Sequence, residues 1–531
     1  MVSSSPLTSR TAADVARKMS KDPAKINPTF EKGFDKAQVD AVAGIMTSSS
    51  RLHVLTGGPG TGKTAIVEVI LALLPNKSFA FAAPTGQAAK VLTGRVSRYG
   101  YTASTMHSLL QGSEEGGFKV NAEDPLKVDV LVLDESTMNG LVMANAALSA
   151  LPPHAHLIVL GGPGLPSKPD DPDAARAGQL PSISPGRFMQ DLLLLPNVNH
   201  LHLSKTYRNS GGILDVVQQT SRSKLETKDL PAVRFSHGLP EPEKGFPVVM
   251  NEYLTSVQRD GIENTLLVMP MRKGDRETPG WNATFANHVL RATCNPHGEK
   301  IPGTTMFLGD RIIIRENQKI KQPKPGTLGS VSRAPVYVDS KKSLMERITE
   351  SRGVKQNEAE FLLDRETGWK DNDRDDDDTV TISVVNGDIG TISAFAMASN
   401  NKRLGSPQWL ELKLDDGRTV YYPGSEMASL QHSYALTVHS AQGSERTNVI
   451  VVVTPGNAEF MNQNMLYTGF SRARADLSIH GDDHVIKKIV ATPMPSRNSS
   501  LVERSVSEME NLQIKDQDES QEVAHSTDSQ F

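Results

Sequence analysis

A glycine-rich segment, GGPGTGKT, carries the residues best suited to chemistry. Its glycines allow the backbone to wrap around phosphate groups with N–H groups pointing inward, and the following helix N-terminus adds positive potential. At this spacing Lys63 is predicted to contact the β- and γ-phosphates of ATP, and Thr64 to bind Mg²⁺. The predicted nucleotide-binding loop comprises Gly57, Gly58, Pro59, Gly60, Thr61, Gly62, Lys63 and Thr64.

Two adjacent carboxylates, Asp134 and Glu135, follow the apolar run VDVLVL. Ligands of open α/β sheets bind at the carboxyl ends of the strands, so both side chains are expected near the phosphate loop. We predict that Asp134 helps to hold Mg²⁺ and that Glu135 polarises the attacking water. The pattern therefore indicates an ATP hydrolase.

These residues need a sheet to position them, and short apolar runs that alternate with helical stretches supply its strands. The alternation predicts an α/β class with parallel sheets. A gap between two series of runs predicts two such domains. The runs are LHVL (52–55), SFAFAA (78–83), VDVLVL (128–133), HLIVL (156–160) and HLHL (200–203), then TLLVMP (265–270), NVIVVVTP (448–455) and DLSIHG (476–481).

A different pattern interrupts the second series. The segments GDRIIIREN (309–317) and TVTISVVNGDIGTISAF (379–395) alternate in polarity and contain an Asn-Gly turn, which predicts a small β-barrel. The acidic run DNDRDDDD (371–378) lies between them. It lacks the glycine and glutamate that a calcium loop requires, so we expect a solvated insertion.

The bulk composition bounds the possible classes of protein. The chain has 531 residues and a net charge of −4, so a nucleic-acid groove would need a local basic lining. The single cysteine, Cys294, excludes an intramolecular disulfide and a cysteine-based zinc site. A single cysteine also suggests a reducing, intracellular compartment, with an organelle or the nucleus left open. No apolar run reaches the roughly 18 residues of a membrane span. The Ser/Arg-rich N-terminus favours a frayed tail, with a transit peptide as the alternative.

In their order along the chain, these segments resemble those of a superfamily 1 DNA helicase of the RecD-like and Dda-like branch. FDKAQVDAV resembles the Q motif, and GGPGTGKT resembles motif I. LDESTM resembles motif II, ALTVHSAQGSE resembles motif V, and MLYTGFSRAR resembles motif VI. The resemblance covers about residues 30–490. It implies an α/β fold with two RecA-like P-loop motor domains and a small SH3-like β-barrel inserted in the second.

The resemblance also implies roles for single residues. Gln38 would read adenine, Arg208 and Arg472 would contact the γ-phosphate as finger arginines, and Arg474 would accompany Arg472. Hydroxyl and amide side chains suit a sugar–phosphate backbone, although Thr and His residues outside this context would be interpreted as ordinary caps. The implied nucleic-acid contacts are Pro84, Thr85, Thr105, His107, Thr437, His439 and Gln442.

Residues 109–127 occupy the place where relatives carry a hairpin that splits the duplex. Phe118 in this segment is a candidate wedge that contacts nucleic acid. It is equally compatible with packing against its own domain, and the sequence leaves both interpretations open.

The stretch LGGPGLPSKPDDPDAARAGQLPSISPG (160–186) resembles motif III, usually Gly-Asp-x-x-Gln-Leu-Pro, opened by an insertion. Gly162 stands where the Asp is expected, and Gln179 begins the Gln-Leu-Pro part. A polar loop can be long at small entropic cost, so both parts can still meet. We predict that Gln179 senses the γ-phosphate and couples ATP to DNA.

The expected function is an ATP-dependent DNA helicase that moves 5′→3′ on single-stranded DNA and acts at duplex junctions, as a monomer without a membrane anchor. A replication or repair protein is a candidate partner, and the cytoplasm or nucleoid the expected location. The alternatives are a viral-type superfamily 1 RNA helicase and a catalytically weak nucleic-acid-binding scaffold. The expected division is a tail (1–25), a first motor domain (26–205), a second motor domain (206–310 and 430–490), an inserted barrel (311–429) and a disordered tail (491–531).

Overall fold

The structure is a computed structural model in which the chain divides into two compact units. Unit 1 comprises residues 1–226, 462–471 and 490–531, and unit 2 comprises residues 227–461 and 472–489. The predicted acidic run (371–378) and Arg208 lie outside the described residues. The structure describes residues 5–21, 23–30, 33–112, 117–162, 178–195, 197–207, 211–238, 241–273, 280–323, 332–333, 379–397, 407–495, 497 and 500–508.

Unit 1 contains a six-stranded parallel sheet in the order β3-β2-β4-β5-β1-β6. Its strands are β1 (Leu52–Gly57), β2 (Phe79–Ala83), β3 (Ala103–Thr105), β4 (Val130–Leu133), β5 (His156–Gly161) and β6 (Asn199–Leu203). The predicted α/β class is therefore confirmed. The sequence reading missed the edge strand β3, which is too short to show an apolar pattern.

The helices of unit 1 cover the sheet. The apolar helix that follows the phosphate loop is fully buried at Ile66, Val67 and Ile70, because it packs into the core. The helices are α1 (Ala12–Lys21), α2 (Pro23–Ile26), α3 (Lys36–Thr47), α4 (Lys63–Leu73), α5 (Gly86–Val96), α6 (Met106–Leu109), α7 (Leu141–Ser149), α8 (Phe188–Leu194), α9 (Gly212–Ser221) and α12 (Gln463–Phe470). Single 3₁₀ turns occupy Pro28–Phe30, Ser97–Tyr99 and Ser136–Met138.

The N-terminal segment is folded from residue 5 to residue 21, so the predicted disordered tail at 1–25 is wrong there. Val15 and Met19 of α1 are completely buried in the unit 1 core, and Leu7 is nearly so. Residues four apart share one helix face. Two apolar residues are enough to anchor this helix, although its other positions are mostly polar.

A chain of hydrogen bonds through two buried histidines crosses the unit 1 sheet. The Asn199 amide donates to His53 Nδ1 (2.9 Å), so His53 Nε2 carries the proton and donates to His156 Nδ1 (3.0 Å). His156 Nε2 then donates to the carbonyl of Ser5 (3.1 Å). Burial, followed by the neighbouring His156, lowers the pKa of His53 to about 3, which keeps this chain neutral.

The C-terminal segment is also ordered beyond residue 491. Residues 501–508 are helical, and Leu501 packs against the unit 1 core. Arg497 donates to the carbonyls of Ser184 (2.9 Å) and Gly186 (3.1 Å). The predicted disordered tail is therefore wrong up to residue 508, and residues 509–531 lie outside the described part of the chain.

Unit 2 contains a five-stranded parallel sheet in the order β17-β8-β18-β19-β7. Its strands are β7 (Val233–His237), β8 (Thr265–Met269), β17 (Ala435–Thr437), β18 (Arg446–Val453) and β19 (Ala473–Gly481). Its helices are α10 (Pro242–Asp260), α11 (Ala283–Cys294) and α13 (Asp483–Val490), with 3₁₀ segments at Ile262–Asn264, Gly424–Ser429 and Pro455–Asn457. Among the helices described in either unit, none is long and apolar enough to cross a membrane.

Unit 2 also contains the alternating segments predicted to form a barrel, and here they form antiparallel strands. Five strands have the order β15-β14-β13-β9-β16, β11 pairs with β13, and β10 pairs with β12. The side chains of Ile312, Leu412 and Val420 form part of their buried core. The strands are β9 (Arg311–Ile314), β10 (Gln318–Pro323), β11 (Ser332–Arg333), β12 (Thr379–Val384), β13 (Ile389–Met397), β14 (Pro407–Leu414), β15 (Thr419–Pro423) and β16 (Leu430–His432).

The division into units differs from the predicted boundaries at two places. Unit 1 continues past residue 205 through α9, and α12, predicted in the second motor domain, belongs to unit 1. Gln463 at the start of α12 donates to the Thr220 carbonyl (2.6 Å) and to Ser223 Oγ (2.9 Å). These bonds attach α12 to the end of α9, a long-range contact that local sequence patterns do not show.

Candidate nucleotide-binding and strand-binding sites

The phosphate loop joins β1 to α4 and leaves the helix N-terminus open. Gly62 caps α4 with a φ of +89° and has no side chain to cap the helix. The N–H groups at a helix N-terminus, together with the helix dipole, bind anions. Lys63 Nζ donates to the carbonyls of Gly57 (2.7 Å) and Gly58 (3.1 Å), so its ammonium group lies over the loop. The geometry fits the predicted phosphate cradle.

Gly57 is required by close packing at the start of the loop. A Cβ atom there would lie 2.5 Å from Thr61 Oγ1 and 2.9 Å from the Leu203 carbonyl oxygen. Thr61 Oγ1 also donates to the Gly58 carbonyl (2.9 Å). The backbone therefore approaches both β6 and the Thr61 side chain at distances that only glycine allows.

The predicted metal-binding oxygens lie side by side. Thr64 Oγ1 donates to Asp134 Oδ2 (3.4 Å), and the Glu135 backbone N–H donates to Asp134 Oδ1 (2.8 Å). Burial, followed by the charge of Glu135, raises the pKa of Asp134 to about 6. A hydroxyl and a carboxylate fit Mg²⁺, which usually keeps several waters and takes few protein ligands. Within the described residues, no group of three or more His, Cys, Asp or Glu side chains could hold a metal ion.

Glu135 has an uncommon backbone conformation for its predicted role. Its φ of +47° lies in the left-handed region, which residues other than glycine rarely adopt. Such local strain is frequent at functional sites. It turns the chain from β4 into the 3₁₀ turn at Ser136–Met138.

Gln38, the predicted adenine reader, is 2% exposed and forms a capping box with Asp35. Gln38 N donates to Asp35 Oδ1 (2.8 Å), and Asp35 N donates to Gln38 Oε1 (3.1 Å). Its amide nitrogen faces the phosphate loop, since a Cβ atom at Gly62 would lie 3.6 Å from Gln38 Nε2. The side chain is thus fixed beside the loop by the start of α3.

Tyr207 is a loop contact that the sequence reading missed. Its backbone N–H donates to the Gly60 carbonyl (2.9 Å), and its hydroxyl donates to the Asp35 carboxylate. Burial, followed by the Asp35 bond, raises the pKa of Tyr207. The only signal in the sequence is its place directly before Arg208, which lies outside the described residues.

The two parts of the interrupted motif III meet in space. A Cβ atom at Gly162 would lie 3.7 Å from Gln179 Cγ, although residues 163–177 between them lie outside the described part. Gln179 Oε1 is buried and has no hydrogen-bond partner among the described residues. The Ser182 backbone N–H donates to the Thr137 carbonyl (3.0 Å), which attaches this segment to the turn after Glu135.

The same segment is bonded to α12. The Leu180 backbone N–H donates to Thr468 Oγ1 (3.0 Å), and the Asn464 amide donates to the Gln179 carbonyl (3.4 Å). Thr468 is completely buried. The sequence reading missed both α12 side chains, because nothing in MLYTGFSRAR shows which of its residues faces the distant segment.

Arg472 and Arg474 belong to unit 2. Arg472 is 4% exposed, and its carbonyl accepts from the Arg446 backbone N–H (3.1 Å). Arg474 Nε pairs with Glu445 Oε2 (3.1 Å). The two arginines therefore differ in exposure, since the side chain of Arg474 is 59% exposed.

The two threonines of unit 1 that are predicted to contact the nucleic-acid strand also cap helices. Thr85 Oγ1 accepts from Ala88 N at the start of α5 (3.2 Å), and Thr105 Oγ1 accepts from Ser108 N at the start of α6 (3.2 Å). A hydroxyl that accepts a cap bond still has a proton to donate. Capping and strand contact are thus compatible at both positions.

The other predicted strand contacts differ in exposure. His107 and His439 are exposed, whereas Pro84, Thr437 and Gln442 are half-buried. Their side chains thus lie at least partly on the surface of their own units.

Phe118 packs against the unit 1 core, which favours the second of the two interpretations open for it. It is half-buried, its backbone bridges Gly112, and its ring centroid is 6.0 Å from that of His107. This packing does not test a contact with nucleic acid, so the wedge role of Phe118 stays a prediction.

Comparisons with known proteins agree with the motif order. The family model of an AAA domain matches residues 38–164, and that of a UvrD-like helicase C-terminal domain matches residues 432–479. The ATP-dependent RecD2 DNA helicase of Deinococcus radiodurans is 26% identical over 495 residues, covering 89% of this chain and 52% of the relative. Along most of its length the chain is therefore similar to a RecD-type DNA helicase.

Other RecD-type proteins match along a similar length. The RecBCD enzyme subunit RecD of Mycolicibacterium smegmatis is 24% identical, covering 88% of this chain and 74% of the subunit. A crystal structure of Pif1 helicase from Candida albicans is 14% identical with a TM-score of 0.41, covering 90% of this chain and 99% of that one. The chain spans about half the length of the Deinococcus relative.

Proposed function

We propose that this chain is an ATP-dependent DNA helicase that moves 5′→3′ on single-stranded DNA and unwinds duplex DNA. The observation that carries the proposal is the cluster of Lys63, Thr64, Asp134 and Glu135 at the carboxyl edge of the unit 1 sheet. The names of the RecD-type relatives support DNA as the substrate. The antiparallel strands of unit 2 are proposed to be the SH3-like barrel of this branch.

Phosphoryl transfer in this site would depend on positioning and charge. The N–H groups at the start of α4 and the Lys63 ammonium bind the phosphates, and Gln38 holds the adenine. Thr64 and Asp134 would hold Mg²⁺, which neutralises the charge on the phosphate oxygens when bound. Glu135 accepts a proton from the attacking water. Arg208 and Arg472 are assigned to neutralise the negative charge on the departing phosphoryl group, and Arg474 accompanies Arg472.

The link from nucleotide to strand is proposed to pass through Gln179. Its buried Oε1, which has no partner within the described part of the chain, can accept a hydrogen bond from the water aligned on the γ-phosphate. The next residue, Leu180, is bonded to Thr468 of α12, and the chain continues from α12 into Arg472. A change at Gln179 on hydrolysis would therefore reach α12 through this bond and through the bond from the Asn464 amide to the Gln179 carbonyl.

The strand itself is proposed to contact donors that recognise a sugar–phosphate backbone and not bases. Each of these residues lies in a motif of the resemblance, and Thr85 and Thr105 keep a hydroxyl proton beyond their cap bonds. The proposed contacts are Pro84, Thr85, Thr105, His107, Thr437, His439 and Gln442.

ATP hydrolysis measured without nucleic acid, with single-stranded DNA and with single-stranded RNA tests the proposal. We expect DNA to stimulate turnover and Lys63→Ala to abolish the stimulated rate. Stimulation by RNA alone would replace DNA with RNA as the substrate. Absence of stimulation by either strand would overturn the motor and leave a nucleic-acid-binding scaffold.

A further inference from the structure

The C-terminal part of unit 1, residues 492–508, is bonded to the end of the motif III stretch and to α12. The Thr492 carbonyl accepts from the backbone N–H of Gln463 at the start of α12 (3.0 Å). Five residues later, Arg497 donates to two carbonyls at the end of the motif III stretch. Leu501 then packs against the unit 1 core. We call residues 492–508 the C-terminal strap.

Arg497 holds the last residues of the motif III stretch through its guanidinium group. Its Nη1 donates to the carbonyls of Ser184 (2.9 Å) and Gly186 (3.1 Å). The carbonyl between them, that of Pro185, accepts from the backbone N–H of Leu141 at the start of α7 (3.0 Å). Three successive carbonyls thus accept from donors outside this turn. A guanidinium group stays charged, and its hydrogen bonds are stronger than those between neutral groups.

The turn at residues 182–186 is packed closely against the start of α7. Gly186 has a φ of +103°, and a Cβ atom there would lie 2.3 Å from Leu141 Cγ. A Cβ atom at Gly140 would likewise lie 2.5 Å from Ser184 Cβ. The turn therefore has little room to deform within itself, and a restraint at one of its residues acts on the whole turn.

The same turn is bonded to the nucleotide site. The Ser182 backbone N–H donates to the Thr137 carbonyl (3.0 Å) in the turn after motif II, and Ser182 Oγ donates to the Ser184 carbonyl (2.7 Å). The Ser184 carbonyl thus accepts from both Ser182 and Arg497. Gln179 lies three residues before Ser182 in the chain. The Arg497 side chain is therefore connected to the proposed γ-phosphate sensor through the turn.

The strap, the motif III stretch and α12 form a closed set of hydrogen bonds. The strap bonds α12 between Thr492 and Gln463, and α12 accepts from the Leu180 backbone N–H at Thr468 Oγ1 (3.0 Å). Arg497 closes the set by bonding the strap to the end of the motif III stretch. Each of the three parts is bonded to the other two, and networks of this kind restrain their members more than isolated pairs do.

We propose that Arg497 is a positioning residue for ATP hydrolysis, which fixes the motif III turn so that Gln179 keeps the position from which it aligns the attacking water. Arg497 acts through the carbonyls of Ser184 and Gly186 and contacts neither nucleotide nor DNA. The C-terminal strap thereby supports the coupling of DNA binding to hydrolysis. This assignment rests on the proposed function, because it gives a role to a residue of the same site.

The alternative is that Arg497 only fastens the strap to unit 1. Leu501 packs against the core cluster that contains Ala144 of α7 and Phe188 of α8. This apolar contact anchors the strap without the guanidinium group, since burial of a leucine side chain is itself stabilising. Substitution of Arg497 therefore removes the bonds to the turn while the anchor at Leu501 remains.

Steady-state ATP hydrolysis by the full chain with single-stranded DNA tests the positioning role. We expect Arg497→Gln to lower the DNA-stimulated kcat about fivefold and to leave the KM for ATP at its native value, because the phosphate-loop contacts are intact. Arg497→Lys should recover most of the lost rate, since an ammonium group also donates to carbonyl oxygens. Arg504→Gln, which changes an exposed arginine of the same strap, is the matched control and should behave like the native chain.

Hydrogen exchange in the same variants locates the effect without depending on catalysis. In Arg497→Gln the backbone amides of Leu180 and Ser182 should exchange about fivefold faster, because the turn that carries their bonds is less restrained. The amides of residues 501–508 should keep their native rates, because Leu501 still packs against the core.

A native DNA-stimulated kcat in Arg497→Gln would overturn the positioning role. In that case DNA-stimulated hydrolysis by the native chain would still support the helicase. Faster exchange confined to residues 501–508 would show that Arg497 only fastens the strap, and would also overturn the positioning role. A native chain whose hydrolysis DNA does not stimulate would overturn both proposals.

Discussion

The carboxyl edges of the two parallel sheets carry different positively charged groups, and each edge is proposed to bind an anion. In unit 1 the carboxyl edge carries a glycine-rich loop, the N-terminus of α4 and the Lys63 ammonium group, which donates to the Gly57 carbonyl. In unit 2 the corresponding edge carries Arg272 and Thr437, and its charge comes from guanidinium groups. The two carboxyl edges thus differ in the source of their positive charge.

The difference follows from backbone conformation. Gly60 and Gly62 have positive φ angles, so the unit 1 loop can turn its N–H groups inward. The described residues at the end of β8 contain no such pair, and long side chains must reach the anion instead. A rigid backbone cradle suits one fixed triphosphate, whereas long arginine side chains on several elements can adjust to their ligand.

The largest expected effect separates the two edges. Lys63→Ala removes the cation of the unit 1 loop, and we expect stimulated turnover to fall about 100- to 1,000-fold. Binding of single-stranded DNA without nucleotide should be unchanged, because Lys63 is not among the proposed contacts with the DNA strand. Steady-state ATP hydrolysis and anisotropy measure the two properties, with Lys77→Ala as a control on the same unit. Loss of DNA binding in Lys63→Ala would contradict the separation of the nucleotide site from the DNA contacts.

A smaller effect is expected at Gln179, which is proposed to couple the bound nucleotide to the DNA strand. Gln179→Ala removes the buried amide beside Gly162 but none of the phosphate-loop contacts. DNA-stimulated turnover should fall about tenfold, as expected for loss of one hydrogen bond of roughly 1.4 kcal/mol. Affinity for a fluorescent ATP analogue should stay the same. Native stimulated turnover in this variant would show that the interrupted motif III is not used.

Much of the nucleotide edge could be predicted from sequence, because its signals are local. The loop spacing, the apolar run before Asp134 and the Gln-Leu-Pro of motif III each lie within a few residues. The structure agrees with the prediction that Gly162 and Gln179 meet.

Features that depend on distant residues were not predicted. Unit 2 contains a pocket lined by residues from Arg272 to Ser440, which no periodicity connects. The placement of α12 in unit 1 depends on bonds to Thr220 and Leu180. The helix α1 was missed because only Val15 and Met19 mark its buried face.

The smallest expected effect concerns stability and again distinguishes the units. Burial lowers the pKa of four histidines of unit 1, His53, His156, His200 and His202. A histidine with a lowered pKa stabilises the fold above its unfolded pKa of 6.5, and this contribution is lost as pH falls towards the folded value. For His53, with a folded pKa of about 3, unfolding should become easier by about 1–2 kcal/mol between pH 7 and pH 5.

Urea unfolding at pH 7 and pH 5 measures this loss. His53→Gln should reduce the pH dependence of the free energy of unfolding, because glutamine, unlike the histidine that contacts His156, does not titrate. His154→Gln, which changes an exposed histidine of the same unit, should leave it unchanged. Equal pH dependence in the native chain and His53→Gln would contradict the neutral hydrogen-bonded chain.

The most direct test of the motor is strand displacement from duplexes that carry a single tail. With ATP and Mg²⁺, the native chain should release the labelled strand from a duplex with a 5′ single-stranded tail and leave the 3′-tailed duplex intact. Lys63→Ala should release neither. Preferential unwinding of the 3′-tailed duplex, or ATP hydrolysis without any displacement, would contradict the proposed 5′→3′ helicase.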